Sequence, residues 1–134
     1  MKELLRLEPV MKECVWGGKR LVTEFPYHAE GEHIGECWAV SAHPHGDCVV
    51  REGRYAGGKL SELYPSHREL FGGITAEKFP LLIKIIDAKE NLSIQVHPDD
   101  AYVKEHETCP FGKTECWYVM DCPENASLVI GHQA

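Results

Sequence analysis

The chain has 134 residues, the length of one domain, and carries 14 Lys and Arg against 21 Asp and Glu, a formal net charge of −7. This acidic balance argues against a protein that binds nucleic acid, because phosphate backbones are held by clustered cations. Hydrophobic residues make up 43% and charged residues 26%, which is typical of a folded chain rather than a disordered one. We therefore expect a single folded domain spanning residues 1–134.

Neither a membrane segment nor an export signal is predicted. The densest apolar stretch, residues 79–86, contains Lys84 and is far shorter than the ~20 residues of a membrane helix. Met1 is followed by Lys2 and Glu3, with no apolar signal core behind them. The six cysteines include no CxxC pair, so reduced and mostly buried thiols are expected rather than disulfides or a zinc knuckle. These features predict a cytoplasmic protein that does not bind a membrane.

The predicted elements indicate a mainly β fold. The 12 glycines and 8 prolines divide the chain into short segments, with turn signals such as Gly17-Gly18 and Gly72-Gly73. One helix is predicted over residues 61–71, although Pro65 weakens it, and another over residues 101–106, capped by Asp99 or Asp100. The predicted strands are, in chain order, residues 37–42, 48–51, 81–87, 92–97, 114–120 and 126–130.

The segment 92–97 has an unusual polar face. Side chains alternate across a strand, so Ser93, Gln95 and His97 share the face opposite Leu92, Ile94 and Val96. All three polar side chains are short and able to bind a ligand or a metal. Gln95 and His97 would lie roughly 6.6–7 Å apart along the strand, close enough to converge on one ion. The following Pro98 would end the ladder and leave His97 at a strand end.

A carboxylate in the segment 114–120 complements this face. Glu115 shares a strand face with Trp117 and Val119, where an unpaired charge is costly to bury. A divalent cation bound also by His97 would satisfy the carboxylate, and the donor set suits zinc, manganese or iron(II). Lys113 would point the same way. The alternative is an ordinary arrangement in which these side chains satisfy one another without a metal.

The remaining histidines give weaker signals. His43 and His45 have a common ligand spacing, but Pro44 and Gly46 indicate a loop. The other five stand in polar or terminal settings for which no role is predicted: His28, His33, His67, His106 and His132.

Two blocks of sequence resemble a known family. QVHPDD at residues 95–100 and GKTECWY at residues 112–118 resemble the zinc-site signature of type I mannose-6-phosphate isomerases in their short bacterial form. Three further blocks agree in order and spacing: WGG at 16–18, GECW at 35–38 with Ser41, and FPLLIK at 79–84. The resemblance runs from Leu7 to about Gly131 and corresponds to the N-terminal part, somewhat under half, of that form. It implies a cupin-type β jelly roll with short helical additions, incomplete in this chain.

The resemblance also implies an activity and a site. The family interconverts mannose 6-phosphate and fructose 6-phosphate, and the matching zinc (Zn2+) ligands here are Gln95, His97 and Glu115. Family members carry a further zinc-ligand histidine and a substrate arginine downstream, which this chain does not contain. The chain is therefore either a fragment of a longer protein or a stand-alone product. The pocket residues implied by the resemblance are Trp16, Glu36, Lys84, Ser93 and Lys113.

The chemistry assigns roles to these residues and leaves alternatives open. Isomerisation needs a group that moves a proton between two carbons, and Lys113 would do this or would only hold the phosphate. Lys84 and Ser93 would hold the sugar phosphate. Trp16 would pack against the sugar or belong to the core, and Glu36 would be a pocket carboxylate or part of a surface salt bridge.

The sequence is also compatible with other functions and with a homodimer. The alternative function is a non-catalytic cupin module that binds a sugar or a metal. An iron(II) oxygenase agrees less well with the sequence. Such enzymes bind their metal through several histidines, whereas the predicted strand 92–97 offers Gln95 beside His97. A homodimer formed through an exposed sheet edge is possible.

Overall fold

The computed structural model describes residues 4–25, 29–107 and 111–131. The chain divides into two compact units, residues 1–92 and 93–134. This division neither confirms nor contradicts the prediction of one domain over residues 1–134, because a domain can contain more than one compact unit. Among the described residues, no helix is long and apolar enough to cross a membrane.

The first unit is mainly β, as predicted, and its strands pair antiparallel. Strand β3 (Ile34–His43) is hydrogen-bonded to β2 (Val10–Gly18) and to β6 (Leu82–Ile86), and β4 (Gly46–Asp47) forms a hairpin with its end. Strands β1 and β5 form a separate two-stranded sheet. The strand bounds are β1 Leu7–Glu8, β2 Val10–Gly18, β3 Ile34–His43, β4 Gly46–Asp47, β5 Val49–Val50 and β6 Leu82–Ile86.

Alternation along β3 separates a core face from a polar face. Cys37 is fully buried and packs with Leu21 and Ile34 in the core of the first unit. Its neighbours Glu36 and Trp38 project to the opposite face, because successive side chains of a strand alternate. The sheet therefore offers one face to the core and one face on which polar groups can collect.

Two short helices and a 3₁₀ turn complete the first unit: α1 Arg20–Thr23, α2 Leu60–Ser66 and the turn Arg68–Phe71. The helix predicted over residues 61–71 is confirmed in position but is divided at His67. Pro65 lies inside α2 and cannot donate a backbone hydrogen bond, which shortens the helix. Buried Tyr64 anchors the region through edge-on ring contacts with Phe71 and Phe79.

The described part of the second unit contains one helix, α3, Asp100–His106. The predicted cap is confirmed, since the Asp99 side chain accepts a hydrogen bond from the Tyr102 backbone N–H. The strands predicted at 92–97, 114–120 and 126–130 are wrong: within the described part of this unit, no segment forms a hydrogen-bonded strand. Alternating polarity predicts which side chains share a face, but a strand also requires a backbone partner.

Candidate metal centre and a shielded ion pair

Three side chains of the second unit converge on one point. The His97 Nε2 atom lies 3.2 Å from Oε2 of Glu115. The Lys113 ammonium lies 3.0 Å from Oε1 of Glu115 and 3.0 Å from Nε2 of His97. The imidazole and the carboxylate therefore face a common cation, which here is the lysine Nζ.

This geometry fits a metal ion in part. An imidazole nitrogen and a carboxylate oxygen that already share one cation form a donor pair suited to zinc. No cluster of three or more His, Cys, Asp or Glu that could hold a metal occurs in residues 4–25, 29–107 and 111–131. A site built on His97 and Glu115 therefore needs an amide such as that of Gln95, or a further donor, to complete it.

The surroundings of Glu115 favour its charged form. Partial burial by itself raises the pKa of this carboxyl. The hydrogen bond and charge of Lys113, with smaller contributions from Trp117 and His97, outweigh burial and lower the pKa below its ordinary value. Glu115 is therefore an anion at neutral pH, as a metal ligand must be.

Gln95 and Ser93 contact each other. The Gln95 Nε2 group donates a hydrogen bond to Oγ of Ser93 over 3.1 Å, and both residues are exposed. This contact agrees with the prediction that the two side chains project to the same side of the segment. The amide oxygen of Gln95 is the atom that would bind a metal, and it is not used in this hydrogen bond.

The predicted pocket residues of the first unit include a tight ion pair. Nζ of Lys84 lies 3.1 Å from Oε2 of Glu36, and both side chains are mostly buried, with exposed fractions of 23% and 18%. Trp38 joins them, because its indole N–H donates to the same carboxylate oxygen over 2.6 Å. The salt bridge that was the predicted alternative for Glu36 is therefore present, but it is largely shielded from water and does not lie at the surface.

Trp38 was not among the predicted site residues. Its ring also lies under two ammonium groups, with Nζ of Lys12 at 4.7 Å and Nζ of Lys84 at 5.0 Å from the ring centroid. The strand alternation that places residues 36 and 38 on one face is the sequence signal that could have identified it.

Trp16 packs on the backbone rather than on the ion pair. A side-chain carbon built at Gly35 would lie 2.6 Å from the Trp16 ring, so the indole covers that glycine. The ring is half-buried, and the Trp16 carbonyl accepts hydrogen bonds from the backbone N–H groups of Lys89 and Glu90. These contacts give Trp16 a structural role and leave part of its surface accessible.

The loop interpretation of residues 43–45 is confirmed for Pro44 and His45 but not for His43. Strand β3 ends at His43 and β4 begins at Gly46, so Pro44 and His45 form the connection. The two histidine rings meet edge to face with centroids 5.1 Å apart. His28 and His132 lie outside the described residues.

The chain matches the family model of the phosphomannose isomerase type I catalytic domain over residues 4–124. It is 53% identical over 134 residues to the mannose-6-phosphate isomerase of Streptococcus mutans, covering all of this chain and 42% of that protein. It is 49% identical over 132 residues to the mannose-6-phosphate isomerase ManA of Bacillus subtilis, covering 98% of this chain and 42% of that protein.

A solved structure agrees with the sequence comparisons. The crystal structure of the mannose 6-phosphate isomerase from Bacillus subtilis superposes with a TM-score of 0.87 at 53% identity, covering 91% of this chain and 39% of that one. The chain thus spans about two fifths of the length of the relatives that it matches. It belongs to the type I phosphomannose isomerase family.

Proposed function

We propose that this chain supplies the metal-binding part of a zinc-dependent isomerase that interconverts mannose 6-phosphate and fructose 6-phosphate, within a cupin-type jelly roll. One observation carries the proposal. The Nε2 atom of His97 and the Oε2 atom of Glu115 lie 3.2 Å apart, and both side chains contact the same cation, the Lys113 ammonium. Membership of the phosphomannose isomerase family supports the reaction class.

The metal site is proposed to consist of His97, Glu115 and Gln95. When bound, a divalent cation polarises a sugar oxygen and stabilises the negative charge that develops next to the carbonyl, which contributes several kcal/mol. Glu115 would contribute a charged carboxylate and His97 an imidazole nitrogen. Gln95 would turn its amide oxygen toward the ion, while its N–H group retains the contact with Ser93.

Lys113 is proposed as the group that moves the proton between the two sugar carbons. Its Nζ atom lies 3.0 Å from both the imidazole and the carboxylate, so it stands directly at the candidate metal centre, where a group that transfers a proton to a bound sugar would be needed. If Lys113 only holds the phosphate, its charge alone is required. Arg keeps that charge but does not give up its proton, so Lys113→Arg separates the two roles.

In the first unit, the ion pair of Glu36 and Lys84 is proposed to bind the sugar phosphate. Lys84 would contact an anionic oxygen, and Glu36 would accept hydrogen bonds from sugar hydroxyls. Trp16 offers an indole surface against which a sugar ring can pack. These roles rest on the partly shielded ion pair and on the exposed part of the Trp16 ring.

Zinc binding and isomerase activity test the proposal separately. The purified chain is dialysed against zinc and its metal content is measured, together with His97→Ala and Glu115→Gln. The isomerase assay is run on the chain alone and on the chain co-expressed with the part of the Streptococcus mutans relative outside the matched region. We expect one zinc ion, lost in both variants, and turnover in at least one preparation.

The possible outcomes distinguish the alternatives. Zinc bound by the His97→Ala variant at wild-type affinity would refute the proposed ligand set. Zinc bound by the chain with no turnover in either preparation would refute the isomerase and favour a non-catalytic metal-binding module. Turnover that survives in Lys113→Arg would show that Lys113 holds the phosphate rather than moving the proton.

A further inference from the structure

Two hydrogen bonds join distant segments of the second unit directly beside the candidate metal centre. The backbone N–H of Gly112 donates to Oδ1 of Asp100 over 2.7 Å. The next backbone N–H, that of Lys113, donates to the carbonyl oxygen of Pro98 over 2.9 Å. We call these four residues, Pro98, Asp100, Gly112 and Lys113, the brace.

The brace requires a glycine at residue 112. A side-chain carbon built at Gly112 would lie 2.6 Å from the carbonyl carbon of Asp99, 2.7 Å from the backbone nitrogen of Asp100 and 2.8 Å from the Pro98 oxygen. All three are backbone atoms, which cannot turn away as a flexible side chain can. Glycine is therefore needed for the close approach of the two segments.

The two adjacent aspartates perform different tasks. The Asp99 side chain accepts from the Tyr102 N–H and caps helix α3. The Asp100 side chain, at the first position of the same helix, reaches instead to Gly112, which is 12 residues away along the chain. Removal of one carboxylate weakens the helix, whereas removal of the other releases the brace.

The brace adjoins both candidate metal ligands in the sequence. His97 immediately precedes Pro98, and Glu115 lies two residues beyond Lys113, so the two candidate ligands extend from opposite sides of the brace. No strand ladder holds the described residues of this unit in register. The two hydrogen bonds of the brace hold these segments together, alongside the direct contacts among the three side chains of the centre.

We propose that Asp100 and Gly112 are positioning residues that preorganise His97 and Glu115 for the cation. This inference rests on the proposed function for the identity of the cation but not for the brace itself. Bringing the two ligands together costs loop-closure entropy, and a brace that is already formed removes this cost from metal binding. Groups that orient metal ligands change metal affinity by about 10- to 100-fold when they are removed.

The test measures the zinc affinity of the 134-residue chain by competition with a chromophoric chelator. Asp100→Ala and Gly112→Ala are expected to weaken zinc binding by about 10-fold or more. Asp100→Asn keeps an oxygen acceptor and is expected to restore most of the affinity. The matched control is Asp99→Ala, which removes the cap of α3 and is expected to leave zinc affinity within about twofold of the unmodified chain.

A second measurement does not depend on zinc. Amide hydrogen exchange at Gly112 is expected to be slow in the unmodified chain, Asp100→Asn and Asp99→Ala, and fast in Asp100→Ala. Unchanged zinc affinity and exchange in Asp100→Ala would overturn the inference, as would an equal loss of affinity in Asp99→Ala. If the unmodified chain binds no zinc, the proposed metal site fails, while the exchange pattern still confirms or refutes the brace.

Discussion

The indole Nε1 of Trp38 and the Oε2 of Glu36 form a 2.6 Å hydrogen bond between two side chains of the central strand β3. The same oxygen lies 3.1 Å from the Lys84 ammonium, and Lys84 is the cross-strand neighbour of Trp38. One carboxylate is thus held by an indole and an ammonium group. This arrangement fixes the carboxylate in one orientation on the polar face of the sheet.

Substitution Trp38→Phe is expected to destabilise the chain by about 1–2 kcal/mol. It keeps an aromatic ring for the two ammonium groups but removes the N–H donor from a mostly buried carboxylate, and hydrogen bonds to charged groups are worth about 1.5–3 kcal/mol. The measurement is the free energy of unfolding in urea, followed by far-ultraviolet circular dichroism.

Trp117→Phe is the matched control for this substitution. The Trp117 indole also donates to a glutamate two residues earlier, Glu115, but over 3.4 Å and from a side chain that is exposed. We expect its effect on stability to be below about 0.5 kcal/mol, as for surface changes in general. Equal losses for Trp38→Phe and Trp117→Phe would show that the hydrogen bond to Glu36 contributes nothing beyond an exposed one.

Gly17→Ala is expected to be strongly destabilising. A side-chain carbon at this position would lie 2.5 Å from the backbone nitrogen of Gly35 and 2.6 Å from the carbonyl oxygen of His33. Overpacking of this kind costs about 1–3 kcal/mol, and more where the neighbours are backbone atoms. The change in the urea midpoint of unfolding measures the loss.

The control for Gly17→Ala is Gly73→Asn. Gly73 has a left-handed φ of 72°, which Asn tolerates, and nothing lies near the position of an added side-chain carbon. It should remain within about 1 kcal/mol of the unmodified chain. If Gly17→Ala were as stable as Gly73→Asn, strands β2 and β3 would have to separate near Gly35 without loss of unfolding free energy, which would contradict the prediction.

Local sequence signals predict only part of the first unit, since strand β2 and helix α1 are not among the predicted elements. The strands predicted at 37–42 and 81–87 are confirmed as Ile34–His43 and Leu82–Ile86, because their apolar residues pair within the same unit. Gly17-Gly18, predicted as a turn, instead ends strand β2. Gly17 is needed there for the close approach of the Gly35 backbone, a long-range requirement that neighbouring residues do not reveal.

The second unit shows where such signals stop being sufficient. Alternation in residues 92–97 and 114–120 predicts which side chains project together, and His97 and Glu115 do meet. The same alternation says nothing about what pairs with the backbone, and the strands predicted there are not formed. The contacts of Asp100 with Gly112 depend on the folded path of the chain, so spacing alone could not have predicted them.

The second unit exposes large apolar side chains that are expected to bind hydrophobic dyes. Ile94, Val96, Tyr118 and Ile130 have exposed fractions of 77%, 87%, 89% and 88%. Exposed apolar side chains that form a contiguous patch favour association with another polypeptide. We expect the fluorescence of the dye to increase when the unmodified chain is added. The increase should be clearly smaller with the double variant Ile94→Ser and Val96→Ser.

The matched control for dye binding is Leu4→Ser, a single residue that is 93% exposed in the first unit. It is expected to leave the dye signal unchanged. Sedimentation velocity over a range of concentrations then tests whether the chain associates with itself. A chain that binds no dye and stays monomeric at every concentration would contradict the expectation that these exposed side chains favour association.

The cysteines are expected to differ strongly in their reaction with iodoacetamide. Burial, and to a smaller extent the neighbouring Cys48, raise the pKa of the Cys37 thiol to about 11. At about pH 8 only about one Cys37 in a thousand is then a thiolate, the reactive form. Cys116 and Cys122 are exposed. Peptide mapping by mass spectrometry should show these two labelled well before Cys37 and Cys48, with the difference abolished in urea. Equal labelling rates in the folded chain would mean that the sheet of the first unit does not shield its core thiols.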